Sequence, residues 1–176
     1  GAYRIGISGP PGAGKSTLVD ALTEHFLDGG STVGIIAVDP TSPFTGGALL
    51  GDRIRMQRLG TRDGAFIRSM ATRGGLGGLS RSASSVAAAM DASGFDYVIF
   101  ETVGVGQSEL DIAEAADTTV IVLVPESGDS IQAMKAGLME IGEIFAVNKA
   151  DREGADMTVQ EIMSMLTLKD AEGGWE

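Results

Sequence analysis

Tyr3-Arg4-Ile5-Gly6-Ile7-Ser8-Gly9-Pro10-Pro11-Gly12-Ala13-Gly14-Lys15-Ser16-Thr17 decides the fold. The first six residues form an apolar run that predicts a strand. From Ser16 onward Leu18, Val19, Leu22 and Phe26 recur at helical spacing, which predicts a helix over 16–26 that Gly29-Gly30 stops. Between the two, Gly9, Gly14, Lys15 and Ser16 fit G-x-x-x-x-G-K-[ST]. Glycines let backbone N–H groups curl round a phosphate without Cβ clashes, and the helix start adds partial positive charge. Residues 9–17, with Gly12, Ala13 and Thr17 among them, are therefore the candidate cradle for a nucleoside triphosphate. Lys15 is expected to reach the β- and γ-phosphates, and the Ser16 hydroxyl to bind Mg²⁺.

The rest of the chain repeats the strand-then-helix alternation. Strands are predicted over 33–38, 65–70, 97–100, 118–124 and 144–147. Helices are predicted over 52–59, 80–92, 109–116, 130–140 and 158–166, and residues 41–51 read as a loop rich in Gly, Pro, Ser and Thr. Continuous apolar strands separated by helices belong to a parallel sheet covered on both faces. With right-handed crossovers this predicts a doubly wound, mostly parallel α/β sheet in three layers. Ligands in such sheets bind at the carboxyl ends of the strands. Each loop that carries chemistry here follows a strand.

Composition narrows the function. The 176 residues, 43% of them apolar, suit one domain with a sizeable core. The net charge of −11 argues against a sequence-independent nucleic-acid binder. No cysteine is present, so thiolate metal sites and disulfides are excluded, and His25 is the single histidine, placed as a surface residue of the first helix. No run approaches the length of a membrane helix. A reducing setting, cytoplasm or an organelle matrix, is expected. Residues 1–100 carry 9 basic and 8 acidic side chains, whereas 101–176 carry 4 and 16, read as solvated helix. Seven of the nine arginines fall between Arg53 and Arg81, which marks either a solvated basic face or a surface for an anionic partner. The chain starts almost directly on a strand and stops in turn-like sequence after a helix, as a piece of a longer protein would.

Asn148-Lys149-Ala150-Asp151 follows the last predicted strand. N-K-x-D is the guanine-specificity motif of P-loop GTPases. The Asp151 carboxylate only accepts hydrogen bonds, and guanine offers N1–H and N2–H₂ on one edge. The Lys149 stem would lie over the purine, and the Asn148 amide would brace the loop or meet the base. Alternatively, Asp151 is a helix N-cap. Asp39, Asp52 and Glu101 stand at strand or loop ends near the phosphate loop and are candidate Mg²⁺ ligands, direct or through water. Asp39 is also readable as a turn-forming Asp-Pro, and Asp52 as an N-cap. In residues 101–107, Gly104 could present its backbone N–H to a γ-phosphate and Gln107 could orient the attacking water.

With these pieces in place, the chain resembles the MeaB/ArgK/MMAA family of P-loop GTPases, in the same branch as metal-chaperone and signal-recognition GTPases. The resemblance covers essentially the whole chain as one P-loop GTPase domain, truncated at both ends relative to the family. It rests on residues 8–17, 38–56, 101–109, 128–141 and 148–151. It implies GTP hydrolysis with Mg²⁺ and a role as chaperone and gatekeeper for an adenosylcobalamin-dependent acyl-CoA mutase of the methylmalonyl-CoA type. It implies a metal-associated role for Asp39 and Asp52, and Glu101 as the Walker B acid. It also implies a partner switch containing Gly128, Asp129, Gln132 and Lys135, and homodimers in the full-length family. Neither a nucleic acid nor a membrane is implied. The competing readings are a P-loop kinase or transport-associated ATPase, a metal-delivery GTPase, and a binding module using nucleotide only as a conformational ligand. No acceptor motif supports a kinase, and one His without Cys does not suit metal delivery.

Overall fold

The computed structural model describes residues 1–39, 58–71, 78–102, 108–125 and 137–171. Its elements are β1 (Tyr3–Ser8), α1 (Lys15–Asp28), β2 (Val33–Asp39), β3 (Ala65–Ala71), α2 (Gly78–Ala92), β4 (Tyr97–Thr102), α3 (Ser108–Ala113), β5 (Thr118–Leu123), β6 (Ile144–Val147) and α4 (Ala155–Ala171).

The six strands form one sheet in the order β3-β2-β4-β1-β5-β6, parallel at every pairing. The predicted doubly wound α/β architecture is therefore the observed one. From β1 the chain steps one way, through α1 to β2 and on to the edge strand β3. It returns through α2 to β4, which inserts between β2 and β1, and continues to β5 and β6 on the far side. That reversal places β1, and the loop that leaves it, at the centre of the sheet, where open α/β sheets hold their ligands.

Side chains alternate between two faces, as strand geometry requires. Ile7, Val33, Ile35, Ile99 and Val122 pack with Val19 of α1 and with Leu59. Ile36, Val38, Val98 and Phe100 pack on the other face with Ala83, Ala87 and Met90 of α2 and Ile112 of α3. Ile121 and Leu123 pack with Leu138, Met139 and Ile162 of α4. Both faces of the central strands are buried, which explains why these strands read as unbroken apolar runs.

The basic stretch has an unforeseen partner within the chain. Arg58 pairs with Asp20 at 3.5 Å and Glu24 at 3.1 Å, and Arg62 pairs with Asp28 at 2.8 Å. Those three acids follow one another along α1 at four-residue spacing, and the fully buried Leu59 seats the segment between the two arginines. Arg68 and Arg81 are exposed, whereas Arg53, Arg55 and Arg73 lie outside the described residues. His25 is an exposed residue of α1. No described helix is long and apolar enough to cross a membrane.

Candidate functional site

The loop 9–14 leaves the carboxyl end of β1 and turns into α1. Gly9 has φ +138°, and a Cβ there would strike the Val122 carbonyl of β5, so backbone takes the space a side chain would need. Gly14, at φ +95°, is the N-cap of α1, and a Cβ on it would fall on the Asn148 amide nitrogen. Both positions thus need glycine twice over, for conformation and for room. No side chain caps α1, and its first turn contains no acid. Its first backbone N–H groups and the positive end of its dipole are left for an anion.

Lys15 is only 6% exposed. Its Nζ donates to the Gly9 carbonyl at 2.8 Å and the Pro10 carbonyl at 3.0 Å, which fixes the ammonium beneath the loop. Burial lowers its pKa, while the carboxylates of Glu101 and Glu109 oppose that shift. Ser16, next along α1, donates its hydroxyl to Glu101 Oε1. Glu101 lies within β4 as its second-last residue, one place before the strand end, and is 6% exposed. Asp39 is the last residue of β2, two strands from β1 on the β4 side.

Ser16 and Glu101 present a hydroxyl and a carboxylate side by side, a hard-oxygen pair that fits Mg²⁺. Among the described residues no group of three or more His, Cys, Asp or Glu could hold a metal by itself. A P-loop magnesium does not need one, because phosphate oxygens and water fill the remaining positions.

The segment after β6 closes over the phosphate loop from the other side. The Asn148 N–H donates to the Leu123 carbonyl at 2.8 Å, and its side-chain amide to the Ala13 carbonyl at 2.8 Å. Lys149, at φ +55°, stretches its Nζ to the Gly12 carbonyl at 2.7 Å. The Asn148 amide thus braces the phosphate loop through Ala13. Asp151 is exposed, and α4 begins only at Ala155, so Asp151 is not the N-cap of that helix.

Lys15, Ser16, Glu101, Asn148 and Lys149 thus meet around residues 9–14. Asp52, Gly104, Gln107, Gly128, Asp129, Gln132 and Lys135 lie outside the described residues. Sequence reasoning did not single out Glu109. It stands one residue inside α3, half-buried, and burial pushes its carboxyl above the ordinary range against the opposing charge of Lys15. Its position just past the glycine-containing stretch 103–107 was the available signal.

Residues 1–176 match the family described as methylmalonyl-CoA mutase-associated GTPase MeaB. A Pyrococcus horikoshii protein with GTPase in its name is 60% identical over 175 residues, 99% of this chain and 55% of that protein. The Escherichia coli protein named GTPase ArgK is 45% identical over 148 residues, 84% of this chain and 45% of its own. A Caenorhabditis elegans protein named methylmalonic aciduria type A homolog, mitochondrial, is 41% identical over 168 residues, 93% of this chain and 42% of its own. The chain spans about half the length of these relatives. A crystal structure of an LAO/AO transport system kinase shares the fold with a TM-score of 0.57 at 24% identity, covering 98% of this chain and 61% of that one. The signal recognition particle receptor FtsY of Elizabethkingia anophelis shares it with a TM-score of 0.60 at 20% identity, covering 88% and 53%. With the phosphate loop, the buried lysine and the whole-chain match together, this chain belongs to the MeaB family of P-loop GTPases.

Proposed function

We propose that the domain binds GTP with Mg²⁺, hydrolyses it slowly to GDP and phosphate, and uses that cycle to gate an adenosylcobalamin-dependent acyl-CoA mutase. The observation that carries the nucleotide reading is the meeting of two loops. Asn148 and Lys149 hold the Ala13 and Gly12 carbonyls of the phosphate loop, and Asp151 stands exposed two residues further on. A nucleotide with its phosphates at residues 9–17 would find Asp151 at its base edge. A carboxylate there accepts from guanine N1–H and N2–H₂ and has no such donors on adenine. A site built for a hydrogen bond rejects the analogue lacking it by about 10⁴-fold.

Lys15 and the N–H groups of the α1 start would neutralise the phosphates. Ser16, Glu101, Asp39 and Asp52 would hold Mg²⁺, directly or through water, and the ion would supply charge stabilisation on the β- and γ-phosphate oxygens. Gly104 would meet the γ-phosphate and Gln107 the attacking water. The family match and the methylmalonic aciduria homologue support a mutase partner, with Gly128, Asp129, Gln132 and Lys135 as its contact switch. The absence of cysteine suits a reducing compartment, cytoplasm or mitochondrial matrix.

Asp151→Asn tests the base reading by calorimetry. The amide can donate, and xanthine carries a carbonyl where guanine carries its amine. The variant is expected to lose about two to three orders of magnitude in GTP affinity and to gain XTP binding. Equal binding of ATP and GTP by the wild type would overturn guanine selectivity.

A further inference from the structure

The crest of the phosphate loop is a β-turn of one kind. The Ala13 N–H donates to the Pro10 carbonyl at 3.2 Å, which closes a turn over Pro10-Pro11-Gly12-Ala13. Pro11, its second residue, has φ locked at about −65° by its ring. Gly12, its third, has φ +74°. A negative φ followed by a positive one makes this a type II turn, which favours proline and glycine in these two places. A type I turn keeps its third residue at about −90°, and the two types differ by a flip of the peptide between the second and third residues.

Packing does not account for Pro11 and Gly12. Both are exposed, and a Cβ on Gly12 would meet nothing within 4 Å. Gly9 and Gly14 need glycine for conformation and for room, whereas Gly12 needs it for conformation alone. The ends of the turn, by contrast, are held. Ala13 is fully buried and packs with Ile7, Val19 and Val122. The Pro10 carbonyl accepts from Lys15 Nζ at 3.0 Å as well as from the Ala13 N–H, so the turn and the phosphate lysine share an acceptor. The Gly12 carbonyl accepts from Lys149 Nζ at 2.7 Å. Pro10 and Pro11 carry no N–H, and that of Ala13 closes the turn. Of these four described residues, that leaves the Gly12 N–H for a phosphate. It belongs to the peptide whose direction the turn type sets.

We infer that Pro11 is a positioning residue of the phosphate site, and that the Pro11-Gly12 pair holds the peptide between them in the direction that turns the Gly12 N–H to a phosphate oxygen. The inference deepens the GTP-binding reading and rests on it. Pro11 acts through its neighbours on both sides. A proline pushes the residue before it away from helical backbone, so Pro11 also fixes the Pro10 carbonyl that steadies Lys15. Without the ring the loop would sample the flipped peptide, and ligand binding would carry the cost of selecting the right one.

Calorimetry on the full-length protein tests this with GDP and with inosine diphosphate, whose base lacks the guanine amine. Pro11→Ala is expected to raise both Kd values by one common factor of about two to five, because the turn acts on phosphate and not on base. Gly12→Ala should raise them about five- to thirtyfold, since an L side chain resists positive φ. Gly12→Asn should lose less than Gly12→Ala, since Asn adopts that backbone more readily although it is the larger residue. Wild-type Kd values in Pro11→Ala would overturn the assignment, and so would a loss confined to GDP. An Asn variant that binds no better than the Ala one would mean that position 12 excludes bulk and not backbone strain, which overturns it too. A wild type that binds neither diphosphate would remove the GTP-binding reading itself, and this inference with it.

Discussion

Lys15 is a buried charge at the heart of the site. Its ammonium is buried against two carbonyls, and burial draws its pKa down. The charged form is therefore less favourable folded than unfolded. That cost is fully present below the folded pKa and lifts as pH rises through it towards the unfolded value of 10.5. On the proposed function the ammonium serves a ligand and not the core, which accounts for a fold that keeps this cost. Lys15→Met, which retains the apolar stem, is expected to keep or raise Tm at neutral pH while calorimetry finds no measurable GTP binding. GTP binding at wild-type strength in that variant would remove Lys15 from the site. Lys15, Ser16 and Glu101 were legible in the sequence because motif spacing fixes them on the chain. Glu109 was not, because its place near the phosphate loop comes from the packing of α3, which no local pattern encodes.

At the level of elements, the edge of the sheet opposite the site is held by carboxylates. Asp91 accepts from the Ala2 N–H at 2.7 Å, Asp117 from Arg4 at 2.8 Å, and Glu143 from Thr119 at 2.8 Å. Asp96 accepts from both the backbone N–H and the hydroxyl of Thr32, at 2.8 and 2.9 Å, just before β4 and β2 begin. Two of these acids, Asp117 and Glu143, come from the acidic half that reads in sequence as solvated helix. The Thr32 backbone bond, and then its hydroxyl, hold the Asp96 carboxyl below its ordinary value of 3.8. Its contribution is thus complete above that value and fades as pH falls through the lower folded one. Asp96→Ala should lower Tm at pH 7, and the gap to wild type should close in acid melts. A gap that stays constant down to acid unfolding would mean that the charge is not what holds the two strand starts. All the strand positions were legible, even the short β6, because apolar runs of that length have one use in an α/β sheet. Helix ends were less so. The last helix runs Ala155–Ala171, beyond the predicted 158–166, since its polar ends carry no apolar period but are helix-compatible. The α3 helix stops at Ala113, short of the predicted 116, where Ala115 and Ala116 bond back to Ile112 and Ala113 in tighter turns.

Across the whole molecule, charge and topology divide the labour. The reversal of chain direction at β1 sets phosphate loop, Glu101 and Asn148-Lys149 on one sheet edge, while acids secure the other. Arg58 and Arg62 tie the residues that precede β3 to α1. Of the described arginines, Arg58 and Arg62 are committed to acids of α1, and none is assigned a role on a transferring phosphoryl group. Transition-state charge would rest on Lys15, Mg²⁺ and backbone N–H groups, which makes slow intrinsic hydrolysis the expectation and leaves acceleration to a partner. Lys135→Ala, in the proposed partner switch, should then spare GTP affinity and weaken that acceleration. The most direct test is single-turnover GTP hydrolysis by the full-length protein, with and without a B12-dependent acyl-CoA mutase. The expected result is an intrinsic rate well below about 1 per second that the mutase raises severalfold or more. A fast intrinsic rate that the mutase leaves unchanged would contradict a mutase-gating GTPase.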